Sequence, residues 1–152
     1  MERTLTRDVA ANAQKQIRVE GWLHKKRLLG GLNFITLRDR SGIVQTLIDN
    51  KDELEKLRGM QIGTVLAVTG TVVADDRAPG GAELHDVSVE VLSPVIDEPP
   101  IEIDKPISHK SENLDTLFEY RVLNLRNLHE QKIFKIRASL TQALREFLIE
   151  RE

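Results

Sequence analysis

The sequence predicts a mainly β fold: a five-stranded barrel with one short helix, followed by a hinge and a C-terminal amphipathic helix. Three observations predict it. From residue 17 to 92 apolar and polar residues mostly alternate with period 2, and the stretch is rich in β-branched side chains. Turn signals interrupt it at short intervals, at Ser41-Gly42, at Gly59 to Gly63 and at Pro79-Gly80-Gly81. Past Leu92 the period changes. The segment SPVIDEPPIEIDKPISHK holds four of the five prolines and no periodicity, and beyond it apolar residues recur at helical spacing.

Each element follows from its pattern. Ile17, Val19, Gly21 and Leu23 alternate in the first strand; in the second, Phe34, Thr36 and Arg38 oppose Ile35 and Leu37, which puts Phe34 on the polar face. Ile43 to Ile48 is the third strand. A short helix over Lys51 to Leu57 follows, with Asp49 or Asn50 as its cap and Leu54 and Leu57 as its buried side. Thr64 to Ala74 is the fourth strand and Leu84 to Leu92 the fifth. Gly21 and Gly70 interrupt strands, which predicts bulges or sharp bends. From His129 onward, Ile133, Ile136, Leu140, Leu144, Phe147 and Leu148 form a stripe that one helix cannot bury by itself. The organisation is therefore a barrel domain over 1–93, a hinge or linker over 94–116, and the start of a further unit over 117–152.

Composition bounds the function. A chain of 152 residues with 40% hydrophobic and 30% charged residues has the length and balance of one ordinary globular domain, or of a small domain with an appendage. It has no cysteine for disulfide or thiolate chemistry, and no apolar run near the roughly 18 residues that span a bilayer. The N-terminus lacks the apolar core of a secretory signal, so a cytoplasmic location is expected, with no membrane partner. The four histidines, His24, His85, His109 and His129, show no metal-ligand spacing, and no metal site is expected. A net charge of -2 hides an uneven distribution: residues 1–40 carry nine Lys or Arg against four acids, whereas residues 75–119 carry twelve acids against three cations. That predicts an electropositive front on an acidic body.

Five strands with a helix between the third and fourth is the order of the oligonucleotide/oligosaccharide-binding (OB) barrel. Gly21 to Gln45 reads GWLHKKRLLGGLNFITLRDRSGIVQ. This resembles the anticodon-binding domain of aspartyl-tRNA synthetases: a Gly-Trp strand, a basic loop, a Phe shortly before Leu-Arg-Asp-Arg, then Gly-x-Val-Gln. The resemblance continues through VEVLSP (Val89 to Pro94), LFEYRVLNLRN and IFKIRASLTQALREFL, and covers essentially the whole chain. It implies an N-terminal piece of a class II synthetase whose long dimer-interface helix begins at the end of this sequence. The activity implied for the whole enzyme is aspartate-tRNA ligation with ATP and Mg, as a homodimer. No catalytic residue and no cofactor are expected within these residues.

Reading an unstacked anticodon needs a plane for stacking, side chains for base edges and cations for phosphates. The resemblance implies Phe34 as the stacking residue, with Arg27, Gln45 and Glu90 completing the anticodon site. Lys25, Lys26 and Arg38 are the expected phosphate contacts, Trp22 is a structural residue of the first strand, and Arg38, Asp39 and Arg40 are expected to form a salt-bridged turn. The aspartate and asparagine anticodons share G and U and differ in the third base. His24 and Pro79 are similar to the residues of relaxed forms that accept both, so tRNA(Asp) and tRNA(Asn) are the expected partners. The competing readings are a free-standing OB-fold RNA-binding protein without catalysis, and an asparaginyl- or lysyl-tRNA synthetase.

Overall fold

The computed structural model describes residues 1–105, 107 and 113–151. Pro106 and residues 108–112 of the expected hinge, His109 among them, and Glu152 lie outside the described residues. Two compact units are present, Met1–Glu98 and Pro99–Glu152.

In the first unit, β1 (Gln16–Leu29), β2 (Leu32–Arg38), β3 (Ile43–Ile48), β4 (Val65–Ala74) and β5 (Ala82–Ser93) close into a barrel in the order β1-β2-β3-β5-β4, and α1 (Lys51–Arg58) lies between β3 and β4 in sequence. Among these strand pairs β3–β5 is parallel and the others are antiparallel. Closure removes every sheet edge, so each strand alternates between one interior and one solvent face. The interior holds Val19, Leu23, Ile35, Leu37, Val44, Ile48, Leu66, Val68, Val72 and Leu84, each at most 1% exposed. Full burial stabilises by roughly 1.5–3 kcal/mol per large side chain. Leu57 of α1 joins this core, and Leu54 packs against it. The cap of α1 is Asn50, whose Oδ1 accepts from the Asp52 N–H at 2.8 Å.

The glycines act in two ways. Gly70 sits at a register shift between β4 and β5, where a Cβ would lie 2.7 Å from Val87 and 2.8 Å from the His85 carbonyl oxygen, so the bulge needs a bare backbone. Gly21 instead admits the Arg38 carbonyl, which would stand 2.4 Å from a Cβ. A second register shift in β1, between Leu23 and Lys25, makes His24 the bulged residue.

Two expectations change, and the N-terminal residues, for which the sequence predicts no element, take a structure of their own. The basic stretch Lys25 to Leu29 is not a loop, because β1 runs on through it and pairs with β2 to Leu29–Leu32. The N-terminal residues, which show no period, form two 3-10 turns, Thr6–Asp8 and Ala10–Asn12. The turn expected to be salt-bridged through Arg38, Asp39 and Arg40 is built on hydrogen bonds to Asp39, with the Arg3 guanidinium 3.9 Å from the same carboxylate. Asp39 accepts from the Thr6 N–H and hydroxyl at 2.9 and 2.7 Å, from the Ser41 N–H and hydroxyl at 2.7 Å each, and from the Gly42 N–H at 3.1 Å. Burial raises the Asp39 pKa, but the bonds from Ser41 and Thr6 outweigh it and hold the carboxyl at about 2.

In the second unit, α2 (Leu114–Glu119) and α3 (Arg121–Asn124) precede α4 (Leu128–Ile149). Asn127 starts α4 by accepting from the His129 N–H at 2.9 Å, and its amide also donates to the Lys105 carbonyl. Ile101 and Ile103 are buried, so this part of the proline-rich segment is folded into the unit.

Candidate nucleic-acid interface

The outer face of β1, β2 and β3 is ordered by register. Arg27 pairs with Phe34, and Phe34 with Leu47, giving one row across three strands. In the next row Lys25 pairs with Thr36, Thr36 with Gln45, and Gln45 across the parallel pair with Glu83. Directly paired residues share a face, so these seven side chains belong to one surface. Phe34 is half-buried while its neighbours Asn33 and Ile35 are buried, so it is a face residue and not part of the barrel interior. Lys25 and Arg27 are exposed beside it. A ring plane flanked by cations on an open surface suits stacking with an unpaired base.

The polar end of this face is a hydrogen-bonded cluster. Gln45 Nε2 donates to Glu83 Oε2 at 2.8 Å, and His85 Nε2 lies 2.7 Å from Glu83 Oε1. Glu83 is 6% exposed, so its carboxylate is presented by these neighbours rather than left free in solvent. An ionised carboxylate has about four acceptor directions, and two are occupied here, which leaves capacity for base N–H donors. The β4–β5 connection lies over this end. Its 3-10 turn, Pro79–Gly81, sits against β3, with Gly80 and Gly81 at φ 81° and 78°. In the same connection Arg77 grips Asp75 at 2.8 and 3.0 Å, and that pairing, with the Arg77 N–H, holds the Asp75 carboxyl at about 2.

The structure therefore brings together Lys25, Arg27, Phe34 and Gln45, and places His24 at the bulge adjoining Lys25 and the Pro79 turn beside β3. It does not bring Glu90 to them. Glu90 pairs with Ala67 of β4, and its carboxylate accepts from Arg18 Nη1 at 2.8 Å, beside a further Arg18–Glu20 bond of 2.9 Å. Glu83 occupies the position expected of Glu90. β5 starts at Ala82, two residues before the Leu84 that the sequence pattern marks, and this brings Glu83 into register with Gln45. His85, two residues on, shares its face.

Two phosphate contacts are also corrected. Lys26 alternates inward from Lys25 and Arg27, and its ammonium donates to the carbonyls of Leu57 and Arg58 at 3.3 and 3.1 Å and to that of Met60. It caps the C-terminal end of α1, and desolvation lowers its pKa. Arg38 is 5% exposed, with its guanidinium 5.7 Å from the Trp22 ring centroid. That stacking buries the cation, away from an RNA backbone, and agrees with a structural role for Trp22.

Among the described residues no group of three or more His, Asp or Glu side chains is arranged to hold a metal ion, and no helix is long and apolar enough to cross a membrane.

Residues 17–93 match the model of the OB-fold nucleic acid binding domain family. The chain is 42% identical over 141 residues to an aspartate-tRNA(Asp/Asn) ligase of Methanopyrus kandleri, covering 90% of this chain and 32% of that protein. It is 38% identical to the enzyme of the same name from Thermus thermophilus, covering 96% of this chain and 33% of the relative. Among solved structures, asparaginyl-tRNA synthetase from Pyrococcus horikoshii superposes with a TM-score of 0.79 at 30% identity, over 99% of this chain and 35% of that one. The chain thus spans about a third of the length of these relatives.

Proposed function

Since the chain belongs to the OB-fold nucleic-acid-binding domain family, we propose that its barrel reads the anticodon of tRNA as part of an aspartate-tRNA ligase. The observation that carries this reading is the shared face on which Phe34, Arg27 and Lys25 adjoin the Gln45–Glu83 pair. Phe34 stacks on an unpaired base, Gln45 and Glu83 meet base edges, and Lys25 and Arg27 meet the backbone phosphates and the bases beside them. Relatives named for both tRNA(Asp) and tRNA(Asn) support a relaxed module. In this reading His24 and the Pro79 turn border the third anticodon base and accept either pyrimidine.

The ligase of this proposal is a cytoplasmic homodimer that consumes ATP with Mg2+. The apolar stripe of α4 is the proposed contribution of this chain to the dimer contact. An asparaginyl enzyme is the second reading, favoured by the Pyrococcus superposition; aminoacylation by the whole protein with aspartate against asparagine separates the two.

Binding of anticodon stem-loops tests the assignment. Phe34→Ala should weaken binding by about 1–3 kcal/mol, the worth of one lost base stack, while the barrel still folds. Unchanged affinity would remove Phe34 from the site. The stem-loops ending in C and in U should differ by less than about tenfold, that is about 1.4 kcal/mol, at one stated salt concentration. A larger preference for the aspartate anticodon would end the relaxed reading and leave the RNA-reading role intact.

A further inference from the structure

Among the described residues the Glu83 carboxylate is met by Gln45 on one oxygen and by His85 on the other. We propose that His85 is a positioning residue that sets the orientation and effective charge of Glu83, so that discrimination at the base Glu83 meets depends on pH. This rests on the RNA-reading proposal and extends it to a specific residue and a specific condition.

The geometry supports it in three ways. First, Glu83 is held at both oxygens, by Gln45 on Oε2 at 2.8 Å and by His85 on Oε1 at 2.7 Å, and this fixes the plane in which its remaining lone pairs point. Second, the backbone around His85 has a built-in register. Thr71 faces His85 and Thr69 faces Ser88, so Asp86 and Val87 oppose Gly70 alone, and Asp86 takes φ 50°. Bulges of this kind re-aim side chains next to binding sites. Third, the charged surroundings are few. β5 supplies Glu83 and the exposed Asp86; the β4–β5 connection supplies Asp75 and Arg77, which pair with each other, and the exposed Asp76. The packed strands β3 (IVQTLI) and β4 (VLAVTGTVVA) contain no ionisable side chain.

The chemistry follows from the imidazole, which ordinarily changes charge between about pH 5 and 8. When neutral with its proton on Nε2, His85 donates one hydrogen bond and leaves Glu83 its full negative charge. Such a carboxylate suits the two adjacent N–H donors on the Watson–Crick edge of guanine and is unsuited to adenine, which offers an acceptor there. When protonated, His85 neutralises Glu83 as an ion pair and adds a cation to the RNA-binding face. Preference for guanine should fall with pH while total affinity does not.

The test compares an anticodon stem-loop with one in which adenine replaces the guanine, by fluorescence anisotropy at pH 8.0 and 5.5 and constant salt. For the unaltered protein the guanine preference should be about tenfold or more at the higher pH and shrink at least about threefold at the lower, within the range of one buried polar contact. His85→Gln keeps a donor that does not titrate, so its preference should be the same at both pH values. His85→Phe should show a small preference at both. A His85→Gln variant that retains the pH dependence, or a His85→Phe variant with undiminished preference, would overturn the proposal. Independently of RNA, the His85 ring nitrogen shifts in NMR should respond to Glu83→Gln, and no response would also overturn it. If the unaltered protein binds neither stem-loop, the RNA-reading proposal falls and this one with it; if it binds both with a pH-independent preference, this one alone falls.

Discussion

The barrel and α4 use the same apolar residues and bury them to opposite degrees. Leu23, Ile35, Leu37 and Leu66 are 0% exposed, whereas Ile136 and Leu140 are 68% and 69% exposed and Leu144 is 58% exposed. The reason is geometric. A closed barrel presents one face of every strand to a shared interior, so its alternating residues bury one another. A single helix has no such interior, and a stripe along it is covered only by another surface. Two charged groups of the barrel unit are also taken up within it: Asp39 accepts from its own turn and Lys26 donates to the end of α1. Periodicity states which face is apolar, and closure decides whether the chain can bury it.

Substitutions can break this contrast. The largest effect is expected in the barrel core, where Ile35→Ala should cost about 2–5 kcal/mol in urea unfolding. Leu140→Ala should cost less than about 0.5 kcal/mol at low protein concentration. Comparable losses at the two sites would mean that α4 is as well packed as the barrel.

Next in size is the turn that ties the N-terminal segment to the barrel. Asp39→Ala removes the acceptor of five hydrogen bonds and should cost about 2–4 kcal/mol, since it strands buried donors. The pH dependence has a definite sign. The folded-state pKa of about 2 lies below the ordinary 3.8, so the Asp39 contribution, about 2 kcal/mol, is present above pH 3.8 and is lost as pH falls through 2. Acid titration of stability should therefore be shallower in the Asp39→Ala variant; an unchanged acid limb would remove Asp39 as its source.

A smaller pair of effects separates adjacent lysines. Lys26→Met should lower melting stability by about 1 kcal/mol through loss of the helix cap and leave the salt dependence of RNA binding unchanged. Lys25→Met should leave stability unchanged and reduce the salt slope by about one phosphate contact. The reverse pattern would return Lys26 to the proposed RNA-binding face. Leu140→Glu is read by association and not by stability: sedimentation should show weaker concentration-dependent self-association than in the unaltered chain. Equal association would take the α4 stripe out of the proposed dimer contact.

Strands, turns and the barrel order were legible because period 2 and Gly/Pro punctuation are local signals, and the spacing from Gly21 to Gln45 carried the resemblance. The candidate face was legible where it lies in that continuous motif, at Lys25, Arg27, Phe34 and Gln45, which the strand register places together. It was not legible at Glu83 and His85. Glu83 reaches Gln45 only through a parallel pairing of strands 38 residues apart, and strand ends are weakly marked in sequence.

By itself the sequence determined which residues alternate, where the chain turns, and that α4 has an apolar stripe. The tertiary structure alone decided that Lys26 is a cap and Lys25 a surface cation, that Arg38 is buried on Trp22, and that Glu83 stands beside Gln45 while Glu90 pairs with Arg18. The physical reason is that charge, hydrogen-bonding capacity and period belong to the residue and its neighbours along the chain. Exposure and partnership depend on which distant strand closes against it, and β3 meets β5 only when the barrel is complete.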